Sequence, residues 1–307
     1  MNTIEQHIKN YLDYCSMQKR LDAKTIKAYR IDLTQFAGYI DEAEPVAITQ
    51  DTLEMYISCL HQKYQPKTVK RKIASLKAIF HYFEYKEIIE QNPFNRILIK
   101  FREPVILPKT IPLHTVEFLL KAMYAMQSNG RTLRQRRYAL RDIAVCEMLF
   151  ATGMRISELC SLRVQDVNLY DGTILIYGKG SKERRLQIGN RDVISILDKY
   201  KTEFYYEIEN CQSFFVNQSG RPLSDQTVRR MINKYAGLAG IELHITPHMF
   251  RHTFATSLLE ADVDIRYIQE MLGHSSINIT EIYTHVAVSK QRDILASKHP
   301  RKDFKLL

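Results

Sequence analysis

The sequence predicts a mainly α protein of two domains, an amino-terminal helical domain followed by a mixed α/β domain with a small antiparallel sheet. Three observations predict it. Apolar residues recur at helical spacing through the first hundred positions, a proline-punctuated run at 102–112 has no period, and two short alternating segments flank a glycine-rich turn further on. At 307 residues the chain exceeds one ordinary domain, and its 45% hydrophobic content is enough for two cores.

The elements follow in order. "IEQHIKNYLDYC" places Ile4, Ile8, Leu12 and Cys15 on one helical stripe, "AKTIKAYRIDLTQFAGYI" does the same with Ile26, Tyr29, Leu33, Phe36 and Ile40, and "DTLEMYISCL" predicts a third, short helix. A fourth starts at Pro66, a favourable first-turn residue, with Val69, Ile73, Leu76, Phe80 and Phe83 on its apolar stripe. Lys67, Lys70, Arg71 and Lys77 occupy its other faces. Such a face is either a solvated surface, with its aliphatic stems lying on apolar area, or a contact for a polyanion. The helical domain is expected to span 1–101, and Pro104, Pro108 and Pro112 stiffen "KFREPVILPKTIP" into a linker at 102–112. The second domain, 113–307, opens with helical "HTVEFLLKAMYAM", passes a polar basic loop "QSNGRTLRQRR" and resumes as the helix "YALRDIAVCEMLFAT". "TILIYGKG" and "RRLQIG" alternate apolar and polar residues around a turn and predict a hairpin. The remainder reads as helices, with "FFV" a candidate further strand.

Charge and composition narrow the function classes. With 44 Lys and Arg against 34 Asp and Glu, the formal charge of +10 suits a polyanionic partner, although solubility alone would also explain it. Five scattered cysteines without a C-x-x-C pair suggest neither a disulfide framework nor a zinc cluster, and reduced thiols fit a cytoplasm. The amino terminus lacks the basic start and apolar run of a secretory signal, and no stretch approaches the about 18 apolar residues of a membrane span.

Four places hold candidate chemistry. In "ITPHMFRHTFAT", Thr246 reads as a helix cap and Pro247 as the first residue, so His248 and Arg251 share a face at a helix amino terminus, where amides and dipole favour an anion. An isolated H-x-x-R would be an ordinary histidine beside a surface arginine. In "LFATGMRISEL", Gly153 stops an apolar helix and delivers Arg155 ahead of a new one, with Glu158 placed to pair with it at i, i+3. The turn "GKGSKER" presents Lys179 and Lys182; it is not a P-loop, which requires a glycine where Thr173 stands and Ser or Thr where Gly180 stands. It is either a flexible basic turn or a lysine delivered as a general acid. Finally, Gly273 reads as a C-cap from which His274 emerges, with Tyr283 nine residues on in "LGHSSINITEIYTHV". A phenol with an ordinary pKa of about 10 attacks at neutral pH only with a base or a strong positive field beside it.

Together, "ATGMRISEL", "GKGSKERRL", "TPHMFRHTFAT" and "LGHSSINITEIYTHV" resemble the ordered boxes of the tyrosine recombinases, or phage integrase family. The likeness covers almost the whole chain and is strongest to the compact Xer-type members. It implies a SAM-like core-binding domain and a tyrosine recombinase catalytic domain, and hence a site-specific DNA recombinase. In such enzymes a tyrosine, here Tyr283, cuts DNA through a 3′-phosphotyrosyl link and conserves the bond energy without ATP. On the matching positions Arg155 and Arg251 would clamp the non-bridging oxygens, Lys179 would protonate the leaving 5′ oxygen, His248 would act as acid and base, and His274 would hydrogen-bond the phosphate. No cofactor and no metal are expected.

The resemblance also implies double-stranded DNA as partner, two domains closing on it as a C-shaped clamp, and a homotetramer on two recombination sites, with or without a paralogous recombinase. The tail "AVSKQRDILASKHPRKDFKLL" would be the helix exchanged between subunits, or else self-packed. Lys67, Lys70, Arg71, Arg229 and Arg230 are candidate DNA contacts, and the arginines of "AMQSNGRTLRQRR", a loop longer than in minimal Xer-type members, would add more. Glu281 departs from the usual pattern and is expected to face away from the phosphate. A cytoplasmic protein associated with the nucleoid when DNA-bound follows. Two rivals remain: a type IB topoisomerase that rejoins the same strand, and a non-catalytic DNA-binding regulator on the same fold.

Overall fold

Polar residues placed one step before apolar periodic runs set the helix starts. In the computed structural model, which describes residues 4–41, 44–98, 108–178 and 183–273, the Asp22 carboxylate accepts from the backbone N–H groups of Lys24 and Thr25 and opens α2 (Ala23–Ile40). The Thr49 hydroxyl accepts from Thr52 N–H and opens α3 (Gln50–Lys63), while Pro66 occupies the first turn of α4 (Pro66–Tyr85). With α1 (Ile4–Met17) these make the helical unit, Met1–Val105. Its core is the expected stripe of α4, all five residues buried, meeting Leu33 and Phe36 of α2 and Tyr56 of α3. The Phe80 ring meets those of Phe36, Phe83 and Phe94 edge-on, an arrangement that adds electrostatic attraction to apolar burial.

Among the described residues, two charged ones lie inside this unit, Asp32 and Lys72. Asp32 is buried on α2 and accepts from Lys72 Nζ at 3.1 Å, from Ser75 Oγ at 2.9 Å and from the Arg71 guanidinium, all on α4. The Lys72 ammonium is also buried, bonds Gln35 and lies 4.8 Å from the centroid of the Tyr64 ring. A lysine in the interior is tolerable only because its carboxylate is there with it.

The second unit, Ile106–Leu307, is built around α6 (Leu133–Thr152). From Ala139 to Leu149 every residue of α6 except Glu147 is buried, its charged Arg141 and Asp142 paired with each other at 2.6 Å, and this stretch is covered on several sides by α5 (Leu113–Asn129), α8 (Arg191–Glu203) and α11 (Pro247–Glu260). Ile111, just before α5, is buried and donates its N–H to Thr253 Oγ1 of α11 at 2.7 Å. The hairpin is β2 (Thr173–Tyr177) against β3 (Glu183–Gln187) in antiparallel register, Ile174 opposite Leu186 and Ile176 opposite Arg184. A two-residue strand, β1 (Val167–Asn168), which the sequence did not announce, extends the sheet to the order β1-β2-β3.

Two expectations change. "QSNGRTLRQRR" is not a loop: α5 runs to Asn129, Thr132 caps α6 by accepting from Gln135 N–H, and only 130–132 connect them. Two of its four arginines are engaged within the protein, Arg137 with Glu203 and Glu207 and Arg136 with the Gly130 carbonyl, while Arg131 and Arg134 are exposed; burial of α6 outweighed the polar composition. "FFV" is buried but is no ladder strand; Tyr200 Oη donates to Phe214 O and accepts from Val216 N–H, each at 3.0 Å. The segment's other backbone groups pair as isolated bridges: Phe214 N–H donates to Leu162 O at 2.8 Å, Phe215 O accepts from Leu223 N–H at 2.9 Å, and Val216 stands opposite Pro222. The chain continues through α7 (Ile156–Ser161), α9 (Tyr205–Cys211), α10 (Asp225–Leu238) and α12 (Ile265–Leu272). None of the five cysteines is in a disulfide, and no helix among the described residues is long and apolar enough to cross a membrane.

Candidate active site

The stop of α6 positions the first functional residue. Gly153 adopts the left-handed conformation, φ 60° and ψ 16°, and a Cβ added there would lie 2.5 Å from Cδ1 of Phe254 on α11. Only glycine allows this turn at this distance. The chain emerges two residues later as Arg155 at the cap of α7, where the Glu158 carboxylate accepts from both the Arg155 backbone N–H and its Nη1, at 2.8 Å each. The i, i+3 pairing anticipated for these two residues therefore forms. Arg155 keeps 36% of its side-chain surface exposed, whereas Glu158 keeps 6%.

Glu158 has a second cation. Arg184 of β3 donates Nη1 to Oε1 at 3.0 Å and Nη2 to Oε2 at 2.7 Å, and turns its Nε to the carbonyl of Met271 on α12 at 3.0 Å. Burial works to raise the Glu158 pKa, but the hydrogen bonds and charge of Arg184 with those of Arg155 outweigh it and hold the group below its ordinary value. The carboxylate is thus ionised and shared.

Arg251 ties the same region together from α11. It is 4% exposed, and its guanidinium donates to the Gly153 carbonyl at 2.9 Å and to the Leu272 carbonyl at 2.7 Å. It therefore bridges the end of α6, two residues before Arg155, to the end of α12, which closes with Gly273 in the left-handed conformation. His248 lies one turn earlier on α11, behind Pro247; Thr246 stands at the cap position as expected, but its side chain makes no capping bond. The imidazole reaches solvent, yet its pKa is lowered, first by the surrounding protein and then by the positive charges of Arg229, Arg251 and Arg155. Its neighbour His252 is pushed down to about 4 by burial, by His248 and by Arg251.

Arg155, His248 and Arg251 are thus gathered from the ends of α6 and the start of α11, and Arg229 of α10 joins them. Lys179, His274, Tyr283 and Glu281 lie outside the described residues, as do 102–107 of the linker and the tail from 287. Of the other candidate contacts, Lys67 and Lys70 are exposed on α4, Arg230 is exposed on α10, and Arg71, though its side chain is 45% exposed, is paired with Asp32. Among the described residues no three His, Cys, Asp or Glu side chains gather as a metal site. The site has the character of an anion receptor: guanidiniums that stay charged at any working pH, around an imidazole kept neutral at pH 7.

Arg184 was not singled out in the sequence, although a signal was present. Alternation along β3 puts it on the same face as buried Leu186, and an arginine on the inward face of a strand requires an internal partner.

Comparison with known proteins shows what the chain is similar to. Residues 117–290 match the model of the phage integrase family, and 8–87 that of the phage integrase N-terminal SAM-like domain. A tyrosine recombinase of Agathobacter rectalis is 69% identical over 304 residues, covering 99% of each chain. The tyrosine recombinase XerD of Listeria monocytogenes is 35% identical over 303 residues, covering 96% of this chain and 98% of its own. Among solved structures, the XerH site-specific recombinase in its post-cleavage complex with a palindromic difH substrate superposes with a TM-score of 0.76 at 23% identity, covering 96% of this chain and 84% of the other.

Proposed function

The chain belongs to the phage integrase family of tyrosine recombinases, and from that membership we propose that it recombines DNA through a covalent Tyr283 intermediate, with neither metal nor ATP. The Tyr283 oxygen attacks the scissile phosphorus in line. The Tyr–O–P bond forms as the bond to the 5′ oxygen breaks, the phenolic proton passes to the base at His248, and Lys179 gives a proton to the leaving 5′ oxygen. The freed 5′-hydroxyl of a partner duplex then attacks the 3′-phosphotyrosyl link and restores the tyrosine. Bond energy is carried through the link, so no nucleotide is consumed.

The observation that carries this reading is the convergence of Arg155, Arg251 and Arg229 around a neutral His248. A phosphorane-like transition state carries more negative charge on its non-bridging oxygens than the ground state, and fixed guanidiniums stabilise it without reorganising. A histidine held neutral at pH 7, first by burial and then by those cations, can accept a proton, which an imidazolium cannot. Arg251 is locked by two carbonyls and so arrives at the phosphate already oriented. His274, next in sequence after Gly273, completes the phosphate contacts.

Lys67, Lys70, Arg71, Arg229 and Arg230 contact the DNA backbone or grooves, with a helical core-site domain at 1–101, a linker at 102–112 and the catalytic domain from 113. Arg71 does so with its guanidinium shared with Asp32. Four subunits act on two sites, either all copies of this chain or with a paralogous recombinase. The exchange helix lies in the tail, Glu281 faces away from the phosphate, and the enzyme works in the cytoplasm. The test is a nicked duplex, selected from random DNA by binding to the full chain, that traps the covalent intermediate when incubated in EDTA. An adduct that Tyr283→Phe abolishes is expected. No adduct in EDTA, or one surviving Tyr283→Phe, overturns the proposal.

A further inference from the structure

Glu158 stands between two guanidiniums of unequal exposure, with Arg155 36% and Arg184 12% exposed at the side chain. The more open of the two is the one available to a ligand. The other has all three of its nitrogens on protein acceptors, two on the Glu158 oxygens and one on the Met271 carbonyl. It lies flat against the end of α12, so closely that a Cβ on Gly273 would fall 2.8 Å from its Nη1 and 3.0 Å from its Cδ. Arg184 therefore connects three pieces of chain: the cap of α7, strand β3 and the last turn of α12.

The charges give this arrangement a consequence. A buried carboxylate facing a single guanidinium would draw it into a closed, neutral pair. Facing two, it is already satisfied in both oxygens by the covered one. Arg155 then keeps positive charge to spend on a phosphate, and its backbone N–H bond to Glu158 fixes where its side chain starts. We infer that Arg184 is a positioning residue: by clasping Glu158 and the Met271 carbonyl together, it holds Arg155 aimed, and net positive, toward the scissile phosphate. The inference rests on the strand-cleavage reading above. Lysine cannot replace the fork, because one ammonium cannot reach both carboxylate oxygens and the α12 carbonyl in one plane.

The experiment uses the full chain with Arg184→Met and Arg184→Lys, measuring single-turnover adduct formation on the nicked duplex at saturating DNA. Each protein is also given the same duplex with a neutral methylphosphonate at the scissile position. On the phosphodiester, Arg184→Met is expected to react about 100-fold more slowly than wild type, the loss typical of a misaimed catalytic group. Its DNA affinity stays at the wild-type value, its melting temperature falls because the buried pair with Glu158 is broken, the reactions are run well below that temperature, and Arg184→Lys recovers little. On the methylphosphonate, where no phosphate charge awaits Arg155, the variant and wild type react alike. Equal losses on both substrates would mean a general structural defect and overturn the inference, as would a variant as fast as wild type on the phosphodiester. A wild-type protein that forms no adduct on either substrate removes the cleavage reading itself, and the inference with it.

Discussion

Gly153→Ala should destabilise the catalytic unit by about 2–4 kcal/mol. Two penalties combine. Holding alanine at φ 60° costs about 1–2 kcal/mol, because Cβ then crowds the following carbonyl. The new methyl would sit 2.5 Å from Cδ1 and 2.8 Å from Cγ of Phe254. These are atoms of a ring held in α11 rather than the free end of a flexible chain, so overpacking adds about 1–3 kcal/mol. A smaller gain of about 0.4–1 kcal/mol from stiffening the unfolded chain offsets part of this. For a unit of this size, Ile106–Leu307, the melting temperature should fall by roughly 5–15 °C. The assay is thermal unfolding of the full chain followed by circular dichroism, with Gly237→Ala as control. Gly237 is exposed on α10 with nothing within 4 Å of an added Cβ, so that change should stabilise by about 0.5–1 kcal/mol. Because the Gly153 carbonyl also anchors Arg251, adduct formation should fall with stability. A Gly153→Ala protein that melts with wild type, or no lower than the Gly237→Ala control, would refute the reasoning.

Two further outcomes test other parts of the structure. His252 is lowered from its ordinary 6.5 to about 4, so between those values the unfolded chain binds a proton that the folded protein refuses, and stability falls as pH drops through that window. Urea unfolding at a series of pH values should show wild type losing stability more steeply than His252→Gln between pH 6.5 and 4; equal slopes would exclude this origin. In the helical unit, Asp32→Ala strands the buried Lys72 ammonium and should cost about 3–5 kcal/mol, whereas joint Asp32→Leu and Lys72→Met should recover most of it. A single substitution costing under about 1 kcal/mol in urea unfolding would show that the pair is not a buried dependency.

Much of the architecture was legible because it depends on local rules. Val69, Ile73, Leu76, Phe80 and Phe83 are buried as their spacing requires, Gly153 and Gly273 end their helices in the left-handed conformation, and the β2–β3 hairpin forms where alternation flanks the turn. The misreadings came where a distant contact outweighed local composition. Polar "QSNGRTLRQRR" is helical but for 130–132 because α6 is the helix around which the unit packs, and Phe214 to Val216 are fixed by isolated bridges and by the Tyr200 hydroxyl rather than by a regular ladder.

By itself, the sequence determined which residue types are available and in what order: two arginines, a lysine, two histidines and a tyrosine, each set beside a glycine, proline or turn that controls the local backbone. It also placed Glu158 within reach of Arg155, since three residues on a helix is a neighbouring position. Only the tertiary structure decided that Glu158 is shared with Arg184, 26 positions away, and that Arg251 reaches the carbonyls of Gly153 and Leu272, 98 and 21 positions away. The reason is physical: hydrogen bonds and charge act over a few ångströms of space, and which distant residues come within that range is set by how α6, α11, α12 and β3 pack, not by their spacing along the chain.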